Sequence, residues 1–133
     1  AVMTLETGSQ RSMLARVRHL GSAKDGTAHW WAQRLTAVAL VPLSVWFVAS
    51  MVALTGAPRE DVAAWLGQPL PAILMILLIV AAFHHAQLGL HVVIEDYVHR
   101  PALRVASLMA VKFTALGLGL AAVYAVLKIA FGG

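Results

Sequence analysis

The sequence predicts an all-α integral membrane protein with three transmembrane helices. Of its 133 residues, 60% are hydrophobic and 12% are charged, and the mean hydropathy is +0.79. So few charged residues cannot cover the surface of a soluble domain of this size. Three separate segments contain the roughly 20 mainly apolar residues that a helix needs to cross a bilayer. We therefore expect residues 29–133 to form one membrane domain, which follows an N-terminal segment of residues 1–28.

The first transmembrane helix is expected at about residues 30–55. Its centre, Leu35–Leu54, contains no charged residue. Pro42 lies inside this helix, where it is expected to cause a kink and to free a backbone carbonyl. Upstream, residues 12–20 (SMLARVRHL) have the pattern of a short helix at the membrane surface, with apolar side chains on one side and arginines on the other.

The second and third transmembrane helices are expected at about residues 69–95 and 101–131. Leu70–Ile94 contains no carboxylate, lysine or arginine, and Val105–Phe131 is interrupted only by two lysines. Proline favours the first turn of a helix, because the N–H that it lacks would have no partner there. The prolines that suit such positions are Pro69, Pro71 and Pro101. The segments between the three helices are expected to be loops.

The distribution of basic residues predicts the orientation of the chain. The basic residues before the first helix are Arg11, Arg16, Arg18, Lys24 and Arg34; those between the second and third helices are Arg100 and Arg104; the first loop has only Arg59. By the positive-inside rule, the N-terminus and the second loop face the cytoplasm. This asymmetry also explains the pI of about 10.1. No basic surface with interleaved aromatic residues remains, so we expect no nucleic-acid partner.

The end of the second helix concentrates polar side chains in an apolar setting. Residues 83–100 (FHHAQLGLHVVIEDYVHR) contain four of the six histidines. At about 100° per residue, His84 and His91 fall on one stripe, whereas His85 and Asp96 fall nearly in line on another. A polar stripe inside a membrane helix faces protein or a cavity, which makes it a candidate functional site. The alternative is that these histidines only form hydrogen bonds to neighbouring helices.

Haem fits these residues better than zinc does. A closed zinc site needs three or four convergent ligands, and the other two helices have no histidine or carboxylate within the membrane. Haem iron needs only one or two axial imidazoles, and Gly89, one turn after His85, leaves room for a porphyrin. All intramembrane histidines lie on one helix, so a six-coordinate haem needs a second ligand from another polypeptide. The absence of cysteine excludes iron–sulfur clusters carried by this chain alone.

The segments HWWAQRLTAVAL and HHAQLGLHVVIEDYVHRPALR resemble the smaller hydrophobic anchor subunit, the D-type chain, of succinate dehydrogenase (respiratory complex II). The match covers about residues 29–104 and, through the three-helix layout, nearly the whole chain. Its core is a histidine, a glycine four residues on, Asp-Tyr-Val eleven residues after the histidine, and an arginine that opens the first helix. His84 and His91 are departures that the motif does not require. The resemblance, rather than the residues alone, selects His85 over His84.

The resemblance implies roles for five side chains, none of them catalytic. His85 is similar to the axial metal ligand of haem b, whose other axial histidine comes from the C-type cytochrome b anchor subunit. Tyr97 is similar to a quinone-contacting tyrosine, and Asp96 to its acidic neighbour. Arg34, with His29 near it in sequence, is similar to a partner of a haem propionate. Without the resemblance, Arg34 could equally anchor at head groups, and Tyr97 could be an interfacial tyrosine beside a solvated acid.

The function implied by the resemblance is that of an anchor subunit of succinate:ubiquinone oxidoreductase, which links the tricarboxylic acid cycle to the respiratory chain. Succinate would be oxidised on a flavoprotein subunit with FAD. An iron–sulfur subunit would pass the electrons to ubiquinone, which is held where the anchor subunits meet the inner face. The expected location is a bacterial inner membrane, in preference to a mitochondrial one.

Two other functions stay open. One is the haem-binding anchor of a fumarate reductase, since the sequence does not set the direction of turnover or the quinone. The other, from a different class, is a haem-free proton-relay or transport subunit that uses His84, His91 and Asp96. A relay should run through the membrane, yet the predicted outer half of each helix has no ionisable group except Lys128. That distribution disfavours the relay.

Overall fold

The computed structural model describes the backbone of residues 21–132 and the side chains of residues 26–132. The surface helix expected at residues 12–20 lies outside the described residues. Four helices make up the described chain: α1 (Gly21–Ala53), α2 (Arg59–Leu66), α3 (Pro69–Tyr97) and α4 (Pro101–Ala130). Three of them, α1, α3 and α4, are long and apolar enough to cross a membrane. The three-span, all-α membrane fold is therefore confirmed.

Helix α1 starts at Gly21, earlier than the expected start near residue 30. Residues 21–29 contain no large apolar side chain, so no apolar pattern indicated that the helix includes them. With 33 residues, α1 is about 50 Å long, whereas the hydrocarbon core of a bilayer is about 30 Å thick. Its polar first turns therefore extend beyond the hydrocarbon. The described chain divides into two compact units, with the boundary between residues 32 and 33.

The connection between α1 and α3 was wrongly expected to be a plain loop. It contains the short helix α2, which follows Pro58 and has Glu60 and Asp61 in its first turn, where negative charge favours the helix dipole. The turn before it needs glycine at Gly56, whose φ is +82°. The ring of Trp65 on α2 stacks on that of Trp46 on α1, with centroids 5.8 Å apart.

Helices α3 and α4 pack against each other more extensively than any other pair in the described chain. Both begin with proline in the first turn, as expected. Gly119 lies at the contact, because a Cβ at that position would be 3.6 Å from the ring of Phe83. The short connection between these helices is held by Arg104, whose Nε donates to the Val98 carbonyl oxygen at 3.0 Å.

Little of the chain is buried within itself. Among the described residues, the buried hydrophobic side chains are Leu66, Leu88 and Val126, whereas large apolar side chains are exposed along all three spans. Monomeric proteins in water rarely expose an apolar surface this extensive. Lipid and other membrane helices are therefore the surroundings that this fold requires.

Candidate functional site

A hydrogen bond ties His85 to the first helix. Its Nδ1 atom lies 3.1 Å from the Thr36 hydroxyl oxygen, and that hydroxyl donates to the Gln33 backbone carbonyl at 3.0 Å. A hydroxyl has one hydrogen and a carbonyl can only accept, so the Thr36 oxygen accepts from the Nδ1–H of His85. The neutral imidazole then carries its free lone pair on Nε2. This is the atom that His85 offers to a ligand.

The side chain of Gln33 lies beside Gly89, one turn from His85. A Cβ built at Gly89 would be 3.8 Å from the Gln33 Nε2 atom. The Gln33 Oε1 atom is buried and has no hydrogen-bond partner among the described residues. An unsatisfied buried carbonyl costs about 1–3 kcal/mol, so this oxygen does not hold the amide in place. The space beside Gly89 is therefore bordered by the Gln33 side chain, which a flat group placed against this turn of α3 would have to displace. The haem at this position stays a prediction.

His84 serves a different part of the molecule. It lies about 100° from His85 around α3 and lines an open groove of 240 Å³ between α3 and α4. The other polar side chains of this groove are Gln87 and the cationic Lys112. The neighbouring histidines therefore face different helices, since His85 meets α1 and His84 meets the α4 side.

Asp96 and Tyr97 lie together at the end of α3, away from His85. The helix continues to Tyr97, so Asp96 lies nearly below His85 on the same face, about 17 Å along the axis. Tyr97 is 77% exposed and Asp96 is also exposed. A ligand outside this chain can therefore reach both side chains.

His91, to which the sequence analysis gave a role only in the alternative proton relay, pairs with Glu95. The His91 Nε2 atom lies 3.1 Å from the Glu95 Oε1 atom, and the side chains are 40% and 52% exposed. An ionised carboxylate can only accept, so Nε2–H of His91 donates this bond. The pair occupies the turn just before Asp96, and it adds a second acid to the polar end of α3.

The side chains of Arg34 and Thr36 project from nearly opposite sides of α1. The two residues are two positions apart, which corresponds to about 160° around the helix, and Arg34 is exposed. His29 is half-buried and belongs to the first compact unit. The propionate role of both residues stays a prediction. Among residues 26–132, whose side chains are described, no three metal-ligating side chains converge on one point.

The sequence analysis missed two residues that support the site. Thr36 bonds the ring of His85, and its only signal in the sequence was a hydroxyl at the start of an uncharged segment that also contains Ser44 and Ser50. Arg104 was counted only as an inner basic residue, yet it bonds the carbonyl of the residue that follows Tyr97. No local sequence pattern predicts either of these two hydrogen bonds.

Comparison with known proteins identifies the family. A model described as succinate dehydrogenase/fumarate reductase transmembrane subunit matches residues 8–126. The chain belongs to this family. Two relatives in it are named succinate dehydrogenase hydrophobic membrane anchor subunit. That of Rickettsia bellii (strain RML369-C) is 34% identical over 102 residues, which cover 77% of this chain and 82% of the relative. That of Paracoccus denitrificans is 33% identical over 113 residues, which cover 85% and 87%.

A more distant relative is the succinate dehydrogenase membrane anchor subunit of Reclinomonas americana, 28% identical over 118 residues. The resemblance drawn from the histidine and Asp-Tyr-Val motifs is thus confirmed at the level of the family. As a member of the succinate dehydrogenase/fumarate reductase transmembrane subunit family with three spans, the chain is a multi-pass membrane protein.

Proposed function

We propose that this chain is the hydrophobic membrane anchor subunit of a succinate:ubiquinone oxidoreductase and that His85 is one axial ligand of haem b. The observation that carries the ligand assignment is the Thr36 hydrogen bond, which directs the Nδ1–H of His85 to α1 and leaves the lone pair on Nε2. A haem iron takes one such imidazole on each face. The names of the relatives favour succinate oxidation over fumarate reduction.

His84 is the weaker candidate because of its surroundings. It shares its groove with Lys112, and a lysine ammonium beside an oxidised iron centre adds unfavourable charge repulsion in a medium of low dielectric constant. One turn after His84 stands the buried Leu88, whereas one turn after His85 stands Gly89. His84 therefore lacks the adjacent space that a glycine leaves. His85 has both the defined lone pair and the space.

The second axial histidine comes from the C-type anchor subunit. The histidines in the described spans are His29, near the start of α1, and His84, His85 and His91, which all lie on α3. Two histidines of the same helix cannot approach one iron from opposite faces, and His29 is assigned to the propionate. Arg34 and His29 bind a propionate of the same haem, for which a guanidinium offers two parallel donors. When bound, the haem supplies a one-electron centre within the membrane.

The polar end of α3 forms part of the ubiquinone site. The hydroxyl of Tyr97 donates to a quinone carbonyl oxygen, and the neighbouring carboxyl of Asp96 holds or passes a proton. Both side chains are exposed and lie on the side that the basic residues assign to the cytoplasm. The flavoprotein subunit, with FAD, and the iron–sulfur subunit dock on that side of a bacterial inner membrane, so electrons from succinate reach the quinone there.

The ligand assignment is tested in the purified complex with His85→Ala and His84→Ala variants. We expect His85→Ala to lose the low-spin bis-histidine spectrum, because the iron loses one of its two axial ligands. His84→Ala should keep it, and the reverse result would place the ligand one residue earlier. A wild-type complex without b-type bands in a reduced-minus-oxidised spectrum would instead favour the haem-free relay.

A further inference from the structure

We propose that Thr36 is a positioning residue for the haem ligand and sets the reduction potential of the haem. Its hydroxyl accepts the Nδ1–H of His85 and thereby fixes the tautomer and the plane of the ring. This inference rests on the proposed role of His85. The proposal gives a function to Thr36, a residue of α1 to which the sequence analysis gave no role.

The bond is directional because Thr36 is itself held. Its Oγ1 atom donates to the Gln33 carbonyl, three residues earlier in the same helix, a bond that threonine commonly makes within helices. The oxygen therefore has a fixed lone pair to offer, 3.1 Å from the His85 Nδ1 atom. Both side chains are half-buried, so little water competes for this bond. The chain of donors runs from imidazole to hydroxyl to backbone carbonyl.

This arrangement changes what Nε2 can do. An Nδ1–H that donates a hydrogen bond shifts electron density into the ring and makes Nε2 a stronger donor to a metal. A stronger donor stabilises oxidised iron more than reduced iron, so the bond lowers the reduction potential. Loss of the hydroxyl should raise the potential and release the ring to rotate about its side-chain torsions.

The test uses the assembled complex with Thr36→Val, which keeps the branched shape and removes the hydroxyl, and Thr36→Ser, which keeps the hydroxyl. A matched control is Thr114→Val, an exposed membrane threonine on α4 that lines a groove with Phe83 and Gln87. Three properties are measured: haem per flavin, the midpoint potential of the haem by redox titration, and the g-values of the oxidised haem.

We expect Thr36→Val to favour reduced over oxidised haem by up to about tenfold, a rise of up to about 59 mV for one electron. Its g-values should also shift, because the angle between the two axial imidazole planes is no longer fixed. Thr36→Ser and Thr114→Val should match the wild type in all three properties. Should Thr36→Val lose haem altogether, Thr36→Cys, a weaker acceptor, should retain an intermediate amount, and equal losses in the Ser and Val variants would overturn the proposal.

A Thr36→Val complex with wild-type potential and g-values would also overturn it, while leaving the ligand assignment intact. Retention of low-spin haem in His85→Ala would instead remove the proposed function itself. The two failures are therefore distinguishable, because one concerns the tuning of a ligand and the other concerns its identity.

Discussion

His84 and His85 are adjacent in sequence, but their side chains contact different parts of the molecule. His85 bonds to Thr36 on α1, and His84 lines the groove that contains Lys112. Helical periodicity placed them on separate stripes, but it could not tell which stripe meets a neighbouring helix. Thr36 and His85 are 49 positions apart, and no local pattern connects residues at that distance. The sequence could therefore nominate the histidines, and its one physical argument for His85 was Gly89, one turn later; it did not show which helix either ring meets.

Tyr97 gives a second test at the scale of one residue. Replacement with Phe removes one hydroxyl and keeps the ring, so one hydrogen bond to the quinone oxygen is lost, worth about 0.5–1.5 kcal/mol and more where charge develops on the oxygen. Quinone-dependent turnover of the complex should fall roughly three-fold to thirty-fold, since about 1.4 kcal/mol corresponds to a factor of ten. Steady-state assays with a ubiquinone analogue measure this effect.

An artificial acceptor that takes electrons from the soluble subunits provides the control. Succinate oxidation with this acceptor should stay near the wild-type rate in Tyr97→Phe, because that electron path does not reach α3. Unchanged quinone turnover in a fully assembled complex would mean that Tyr97 is only an interfacial anchor.

Among the elements, the helices that combine a proline start signal with a long apolar run were predicted to begin where they do, and the other two were not. Proline marks the starts of α3 and α4, and both helices begin there. Helix α1 begins nine or so residues early, because residues 21–29 are polar and a long helix can run on without an apolar face once it has started. Helix α2 was missed although Pro58, Glu60 and Asp61 are helix-start signals, since one short apolar stretch gave no periodicity.

The contact between α3 and α4 can be tested at Gly119. A Cβ there would meet the Phe83 ring at an ordinary contact distance of 3.6 Å, so Gly119→Ala should be tolerated. Gly119→Leu would force the helices apart, and overpacking of this kind costs about 1–3 kcal/mol. Thermal inactivation midpoints of the detergent-solubilised complex should rank wild type and Ala together and Leu lower. Equal midpoints for Leu and Ala would show that the two helices are not in close contact at this position.

The whole molecule lacks the interior that a self-sufficient domain has. Its described spans leave large apolar side chains exposed, and the histidines of these spans, apart from His29 near the start of α1, lie on α3. Both facts point to a subunit that is completed by another polypeptide, as expected of the family to which it belongs. Fold class and family were accessible from the sequence because composition, span length and a spaced motif determine them. The helices of other subunits that would cover its exposed apolar surface cannot be identified from any pattern in this chain.

The second axial ligand can be tested at this scale. The chain expressed without other subunits should bind no haem, or a high-spin five-coordinate haem, because only one imidazole can reach the iron. Co-expression with the C-type anchor subunit should restore the low-spin spectrum, and optical and electron paramagnetic resonance spectra of the two membrane preparations measure the difference. A stable low-spin haem in the isolated monomer would contradict the two-chain site.

The hydrogen bond between Thr36 and His85 also has a consequence for biogenesis. A ribosome adds about 5–20 residues per second, so the 49 positions between these residues correspond to about 2–10 s of synthesis. Helix α1 therefore enters the bilayer while its imidazole partner does not yet exist. The ring of His85 acquires its fixed orientation only after α3 has been inserted and has met α1. With His85 in its proposed role, haem would load late in maturation, and cells starved of haem should accumulate inserted but unloaded anchor chains.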